Sequence, residues 1–202
     1  MIMEIIKLVL GLYQTNCYIL KKDDELLIID PGYSPRRIIE KIESLEGCSL
    51  KAILLTHGHF DHIGAVDALV NSYHCPVYAC KDDEDILTEG RIALHENNGL
   101  FVRNKINWLT SENLKIGKFS IRVIFTPGHT SGSVMFVIDD VLFSGDTLFL
   151  ESVGRTDLYS GSYSQLKQSL KILNDLPLDM VVYPGHDGKT TVGHELQFNP
   201  FL

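Results

Sequence analysis

The sequence contains no apolar run approaching the ~20 residues that a membrane span needs, so no membrane partner is expected. It also lacks a block of lysine or arginine. Lys and Arg number 18 against 26 Asp and Glu, a formal net charge of −8. Gripping a phosphate backbone without sequence preference takes concentrated positive charge, so nucleic acid is not an expected partner and a nuclease is disfavoured. Cysteine is scarce: Cys17, Cys48, Cys75 and Cys80 form neither a C-x-x-C pair nor a zinc-finger pattern. They read as small buried hydrophobes in a reducing compartment. No G-x-S-x-G motif presents a serine nucleophile. The stretch from Met1 to Leu12 is apolar, but Glu4 and Lys7 interrupt it, and it has no basic n-region or small-residue cleavage site. It reads as a first strand of a cytoplasmic protein, not as a signal peptide.

What remains is an ordinary globular composition, 45% apolar and 22% charged over 202 residues, which suits one large domain spanning 1–202. Strands are expected at Ile5 to Leu10, Tyr18 to Leu20, Leu26 to Ile29, Ala52 to Leu55, Pro76 to Ala79, Ile121 to Phe125, Val134 to Ile138, Val141 to Phe143 and Met180 to Tyr183. Asp139-Asp140 suggests a tight hairpin between two of them. Ser34 is placed to cap a helix with Pro35 in its first turn, running through Ile38, Ile39 and Ile42 toward Gly47. Helices are also expected over Asp61 to Ser72 and Ser164 to Leu173, where apolar residues recur three and four apart. Asp82 to Leu87 reads as a short helix, and Leu94 to Arg103 as loop or lid. Short strands with interspersed helices point to an α/β protein in layers, two sheets with helices outside.

The chemistry concentrates in Thr56-His57-Gly58-His59-Phe60-Asp61-His62, which packs four metal-ligand side chains into six residues after an apolar run. In extended chain, residues two apart point the same way, so His57 and His59 can share one ion. Asp61 and His62 open the next helix and turn elsewhere, which suits a second ion. Three further candidates share one construction: Phe125 leads to Pro127-Gly128-His129, Phe143 to Ser144-Gly145-Asp146, and Tyr183 to Pro184-Gly185-His186. Glycine lets the chain turn sharply at a strand end and come close to an ion, and functional groups in layered α/β folds gather outside such ends. A single histidine is ordinarily a surface or core residue, and His74, His95 and His194 are read that way. The other five histidines with Asp61 and Asp146 form a set too ordered for that.

These motifs, in this order, resemble the metallo-β-lactamase superfamily, an αββα sandwich of four layers, and within it the short single-domain branch similar to glyoxalase II (hydroxyacylglutathione hydrolase). Also similar are Thr15-Asn16-Cys17-Tyr18, Ile29-Asp30-Pro31-Gly32, Thr126 to Gly132, Ser144 to Phe149, Gly154-Arg155-Thr156-Asp157 and Asn199-Pro200-Phe201. Asp187 stands where short members often carry glycine. The resemblance implies two divalent metal ions, zinc being expected with iron or manganese as alternatives. One would be held by His57, His59 and His129, the other by Asp61, His62 and His186, with Asp146 bridging. Asp61 and Asp146 would thereby be catalytic. Asp30 is either an orienter of a ligand histidine or a turn residue before Pro31. Arg155 either binds the thiol carrier of a substrate or pairs with Asp157.

The implied activity is hydrolysis of S-(2-hydroxyacyl) thiol conjugates such as S-lactoylglutathione by a metal-bridging hydroxide, with a small-molecule thioester as partner. The competing activities are a persulfide dioxygenase with a single iron, which shares the Gly-Arg-Thr-Asp segment, and another hydrolase of the fold such as a lactonase or β-lactamase. A non-catalytic metal-binding protein is the remaining alternative.

Overall fold

Period-two burial along the strands generates the layers. In the computed structural model, which describes residues 2–91 and 100–202, the chain opens with β1 (Glu4–Leu10), β2 (Thr15–Lys22) and β3 (Glu25–Ile29), an antiparallel meander. Helix α1 (Pro35–Glu43) leads to β4 (Ser49–Leu54). Helices α2 (Phe60–Ile63) and α3 (Val66–Tyr73) lead to β5 (Val77–Ala79). A 3-10 turn at Lys81–Asp83 and helix α4 (Glu84–Glu89) precede β6 (Ile106–Trp108). These six strands form one sheet in chain order, parallel from β3 onward. Parallel neighbours need crossovers, which the helices supply.

The second sheet takes β7 (Asn113–Ile116), β8 (Phe119–Phe125), β9 (Val134–Ile138) and β10 (Val141–Gly145). After the small hairpin of β11 (Leu148–Phe149) and β12 (Ser152–Val153), and helix α5 (Tyr163–Ser169), it adds β13 (Val181–Pro184) and β14 (Thr190–Thr191). Its order is β14-β13-β10-β9-β8-β7, with β10 and β13 parallel. Helix α6 (Val192–Phe198) follows. No helix among the described residues is long and apolar enough to cross a membrane.

In β3, Leu26 and Ile28 pack with Ile38 and Ile42 of α1 and Val66 and Leu69 of α3. Leu27 and Ile29 face the other way, against Phe119, Ile121, Phe136 and Phe143 of the second sheet. The far side of that sheet, with Ile124, Met135, Leu142 and Val182, covers Leu166, Leu170, Leu173 and Val192. The order is helices, sheet, sheet, helices. Burial on both faces explains why Leu26 to Ile29 of β3 and Ala52 to Leu54 of β4 are unbroken apolar runs instead of alternating ones.

Several local expectations change. Asp61 to Ser72 is two helices, not one. Ala65 N–H donates to the Pro31 carbonyl (2.9 Å) while Gly64 packs on the Gly32 carbonyl, so the chain steps sideways between α2 and α3. Ser34 makes no side-chain cap. It sits in the left-handed region (φ 52°), and its carbonyl accepts the Arg37 N–H at 2.9 Å. Helix α5 gives way to 3-10 geometry at Leu170–Asp175. The hairpin expected at Asp139-Asp140 joins two antiparallel strands, with Asp139 at a positive φ of 53°. All four cysteines are free, and Cys48 is only half-buried. Of the loop expected from Leu94 to Arg103, 94–99 and His95 lie outside the described residues. Arg103 N–H is fixed by the Asp67 carboxylate (3.0 Å).

Candidate metal centre

The seven candidate ligands converge on one edge because the strands that deliver them end there. His57 and His59 follow β4, and Asp61 and His62 lie on α2. His129, Asp146 and His186 follow β8, β10 and β13, which all run the same way. Gly145 turns at a left-handed φ of 50° to aim Asp146. Gly185 serves proximity instead, since any Cβ there would overlap Asp146 Oδ1. The segment Thr15 to Tyr18 pins the His186 loop: Asn16 Nδ2 and the Tyr18 hydroxyl both donate to the Pro184 carbonyl (2.9 and 2.6 Å). Asp187, beyond His186, adopts the left-handed φ of 62° that glycine would take freely.

Hydrogen bonds on the outer ring nitrogens settle which nitrogen faces inward. Nδ1 of His129 lies 2.7 Å from the Arg155 carbonyl, and Nδ1 of His186 lies 3.0 Å from the Tyr13 carbonyl. Carbonyls only accept, so both Nδ1 atoms carry a proton and Nε2 is left as the nitrogen that can face an ion. Asp30 Oδ2 accepts from His62 Nδ1 at 3.0 Å, with the same result. The Thr56 hydroxyl donates to Asp30 Oδ2 (2.6 Å), so it accepts from His57 Nδ1 at 3.1 Å. His59 alone turns Nδ1 inward, 2.9 Å from His129 Nε2. Carbonyl, carboxylate and hydroxyl partners on the outer nitrogen are the arrangement that orients metal-binding imidazoles.

Two groups of side chains are spaced to hold an ion each: His57, His59 and His129, and Asp61, His62 and His186. A third grouping, Asp30 with His57 and His62, has suitable spacing too. Its carboxylate is already committed to the Thr56 N–H (2.8 Å), the Thr56 hydroxyl and His62 Nδ1, so Asp30 orients instead of ligating. Asp146 stands between the two groups. Its Oδ1 lies 3.3 Å from His62 Nε2, and its Oδ2 lies 3.3 Å from His186 Nε2 and 3.6 Å from His129 Nε2. His57 Nε2 and Asp146 Oδ1 are buried without a hydrogen-bond partner. Orphaned buried polar atoms of this kind call for an ion or water. The donors are imidazole nitrogen and carboxylate oxygen without thiolate, which fits zinc, iron or manganese in a site with open positions.

The two groups differ in charge. Burial holds His57 well below the usual imidazole range, His59 down at about 3, and His129 low as well, so all three are neutral. Burial would also lower His62, but Asp146, Asp61 and Asp30 carry it well above its usual range. His186 likewise rises to about 9 against its burial, through Asp146 and Asp61. Burial would raise Asp61 and Asp146; the charge of His62 instead brings Asp61 to about 2 and Asp146 well below the carboxylate range. One half is therefore uncharged, and the other is a cluster of opposite charges.

The remaining candidates lie apart. The Arg155 guanidinium pairs with Asp157 through two contacts (2.7 and 2.8 Å), the ion-pair alternative, while its backbone carbonyl orients His129. His74 is an exposed helix end, and His194 pairs with Glu151 at 2.9 Å. Sequence reasoning missed Asp83, a fully buried carboxylate against the loops that carry His57, His59 and His129. It sits in the acidic run Asp82 to Asp85, and nothing in that pattern distinguishes the buried member.

Comparison with known proteins shows the family. The family model of the metallo-beta-lactamase superfamily matches residues 10–186. Among curated relatives, the chain is 36% identical over 203 residues to the probable metallo-hydrolase YqgX of Bacillus subtilis, covering 95% of this chain and 94% of that one. It is 35% identical over 204 residues to the hydroxyacylglutathione hydrolase GloC of Haemophilus influenzae, with 94% and 93% covered. Among solved structures, it resembles the B3 metallo-beta-lactamase BLEG-1 (TM-score 0.86, 38% identity, 98% and 99% covered). It also resembles TTHA1623 in a di-iron-bound form (0.85, 36%, 98% and 100%). ETHE1 from Myxococcus xanthus is similar as well (0.79, 29%, 98% and 83%). Four layers, strand-end ligands and a match across most of its length lead to one conclusion: the chain belongs to the metallo-beta-lactamase superfamily.

Proposed function

We propose that the chain is a binuclear metallo-hydrolase that cleaves S-(2-hydroxyacyl) thioesters. The observation that carries this reading is the Asp146 carboxylate, within 3.3–3.6 Å of imidazole nitrogens from both groups. His57, His59 and His129 would hold one ion, and Asp61, His62 and His186 the other, with Asp146 shared. When bound, such ions lower the pKa of water toward ~7 and polarise a carbonyl oxygen. The chain's own residues fix the geometry: Asp30, Thr56, Tyr13 and Arg155 lock four imidazoles with Nε2 inward. A thiol of pKa ~8.5 departs as thiolate without a dedicated acid. The named activity of GloC supports the thioester class, and the di-iron form of TTHA1623 supports two ions, with iron as well as zinc a fitting metal.

The single-iron dioxygenase reading draws on Gly154 to Asp157, but it leaves Asp61 without a metal to hold. Here Asp61 Oδ2 accepts from the Thr15 hydroxyl (2.8 Å) and stands 3.3 Å from His186 Nε2, as a prepared ligand would. Likeness to BLEG-1 makes β-lactams worth testing, although an expelled lactam nitrogen needs a proton that a thiolate does not. The test is a panel of glutathione, coenzyme A and other low-molecular-weight thioesters, a lactone and a β-lactam, assayed on metal-replete protein. The highest kcat/KM is expected on a 2-hydroxyacyl thioester. A lactone or β-lactam outperforming every thioester would sink the substrate class.

A further inference from the structure

The turn Lys81–Asp83 and helix α4 lie behind the metal edge, and one carboxylate there joins two ligand-bearing loops. Asp83 is 1% exposed. Its Oδ2 accepts from the Gly58 N–H (2.9 Å) and the Thr130 hydroxyl (2.8 Å), and its Oδ1 accepts from the Gly132 N–H (2.6 Å). Gly58 is the residue between His57 and His59, and Thr130 to Gly132 immediately follow His129. The fit is close on both sides. A Cβ on Gly132 would come within 2.6 Å of Asp83 Cγ, and one on Gly58 within 2.8 Å of Ile86 Cγ2 on α4. Burial pushes the Asp83 carboxyl up, while its bonds from Thr130, Gly132 and Gly58 pull it back toward ionisation.

None of these bonds reaches the other group of ligands. Asp61, His62 and His186 are oriented by Thr15, Asp30 and the Tyr13 carbonyl. We propose that Asp83 is a positioning residue that sets the affinity of one metal position, that of His57, His59 and His129, independently of the other. The proposal rests on the two-ion reading. It adds that the three-histidine position has a support of its own, beside the Asp30–Thr56 pair that orients a histidine of each group, so that it can be weakened alone.

The experiment is a titration of the stripped full-length chain with zinc in competition with a chromophoric chelator, for wild type, His59→Ala, Asp83→Asn and Thr130→Val. His59→Ala identifies which step belongs to the three-histidine position. Asp83→Asn keeps the size but puts an NH2 group against N–H or O–H donors. It should weaken that same step by roughly ten- to a hundredfold, the usual effect of losing an outer partner of a metal site, and leave the other step in place. Thr130→Val removes one donor and keeps the carboxylate, so it should shift the same step by less. A merely structural role would lower both steps together with the melting temperature of the stripped protein. If Asp83→Asn does not fold, Thr130→Val decides by the same selectivity. Two wild-type steps that both weaken, or both persist, in the variants would overturn the positioning role. A single wild-type step would overturn the two-ion reading, and the proposal with it.

Discussion

Asp146→Ala is expected to lose at least a thousandfold in kcat/KM, about 4 kcal/mol of transition-state stabilisation, and to lose both ions instead of one. The reason is its place between the groups. Its two oxygens reach His62 on one side and His186 and His129 on the others, at 3.3, 3.3 and 3.6 Å. Each of the other six ligand candidates belongs to only one of the two groups assigned to an ion. Removing it therefore takes an anionic donor from both positions and lifts the charge that holds His62 and His186 above their usual range. His59→Ala is the contrast, expected to empty one position and spare the other. Metal content measured alongside steady-state kinetics separates these outcomes. An Asp146→Ala protein that keeps two ions would remove the carboxylate from the centre of the site.

Asp30→Ala is expected to cost the most stability. Its carboxylate, 2% exposed, accepts from the Thr56 N–H (2.8 Å), the Thr56 hydroxyl (2.6 Å) and His62 Nδ1 (3.0 Å). It ties the end of β3 to the chain leaving β4 and to α2 in one buried network. It also sits at φ 50°, a left-handed conformation that aspartate tolerates better than most residues. Alanine leaves buried donors unpaired and a buried imidazole without its counter-charge, which costs about 3–5 kcal/mol. For a chain of this length that is a fall of roughly ten degrees in melting temperature. Thermal unfolding of stripped and metal-replete protein checks it. A melt within two degrees of wild type, with His62 still ligating, would show that Asp30 is the plain turn residue that its position before Pro31-Gly32 also suggested.

The site was more legible in the sequence than much of the fold around it. His129, Asp146 and His186 each follow an apolar strand and a small residue, which made them candidates, while their division between two ions came from the resemblance. The two-way split within His57 to His62 came from strand and helix periodicity, and it matches the two groups of side chains. Strands β6 and β7 were not anticipated, because three- and four-residue segments with polar members carry too little period to read. Helix α6 was hidden in the same way, although Thr191 caps it by accepting the His194 N–H (3.2 Å). The break between α2 and α3 depends on the Pro31-Gly32 turn pressing on Gly64, a contact across more than thirty residues of chain. Asp83 was invisible for a similar reason, since only the packing of α4 on the Gly58 loop distinguishes it from Asp82 and Asp85. Tertiary contacts, not local propensity, decide such positions.

The claim that two ions and a hydrolytic reaction belong together is tested most directly on one preparation, by elemental analysis with an oxygen electrode while S-lactoylglutathione is turned over. The expected result is two metal ions per chain and thioester cleavage without oxygen uptake. One iron per chain, with oxygen consumed on glutathione persulfide and no thioester cleaved, would contradict it.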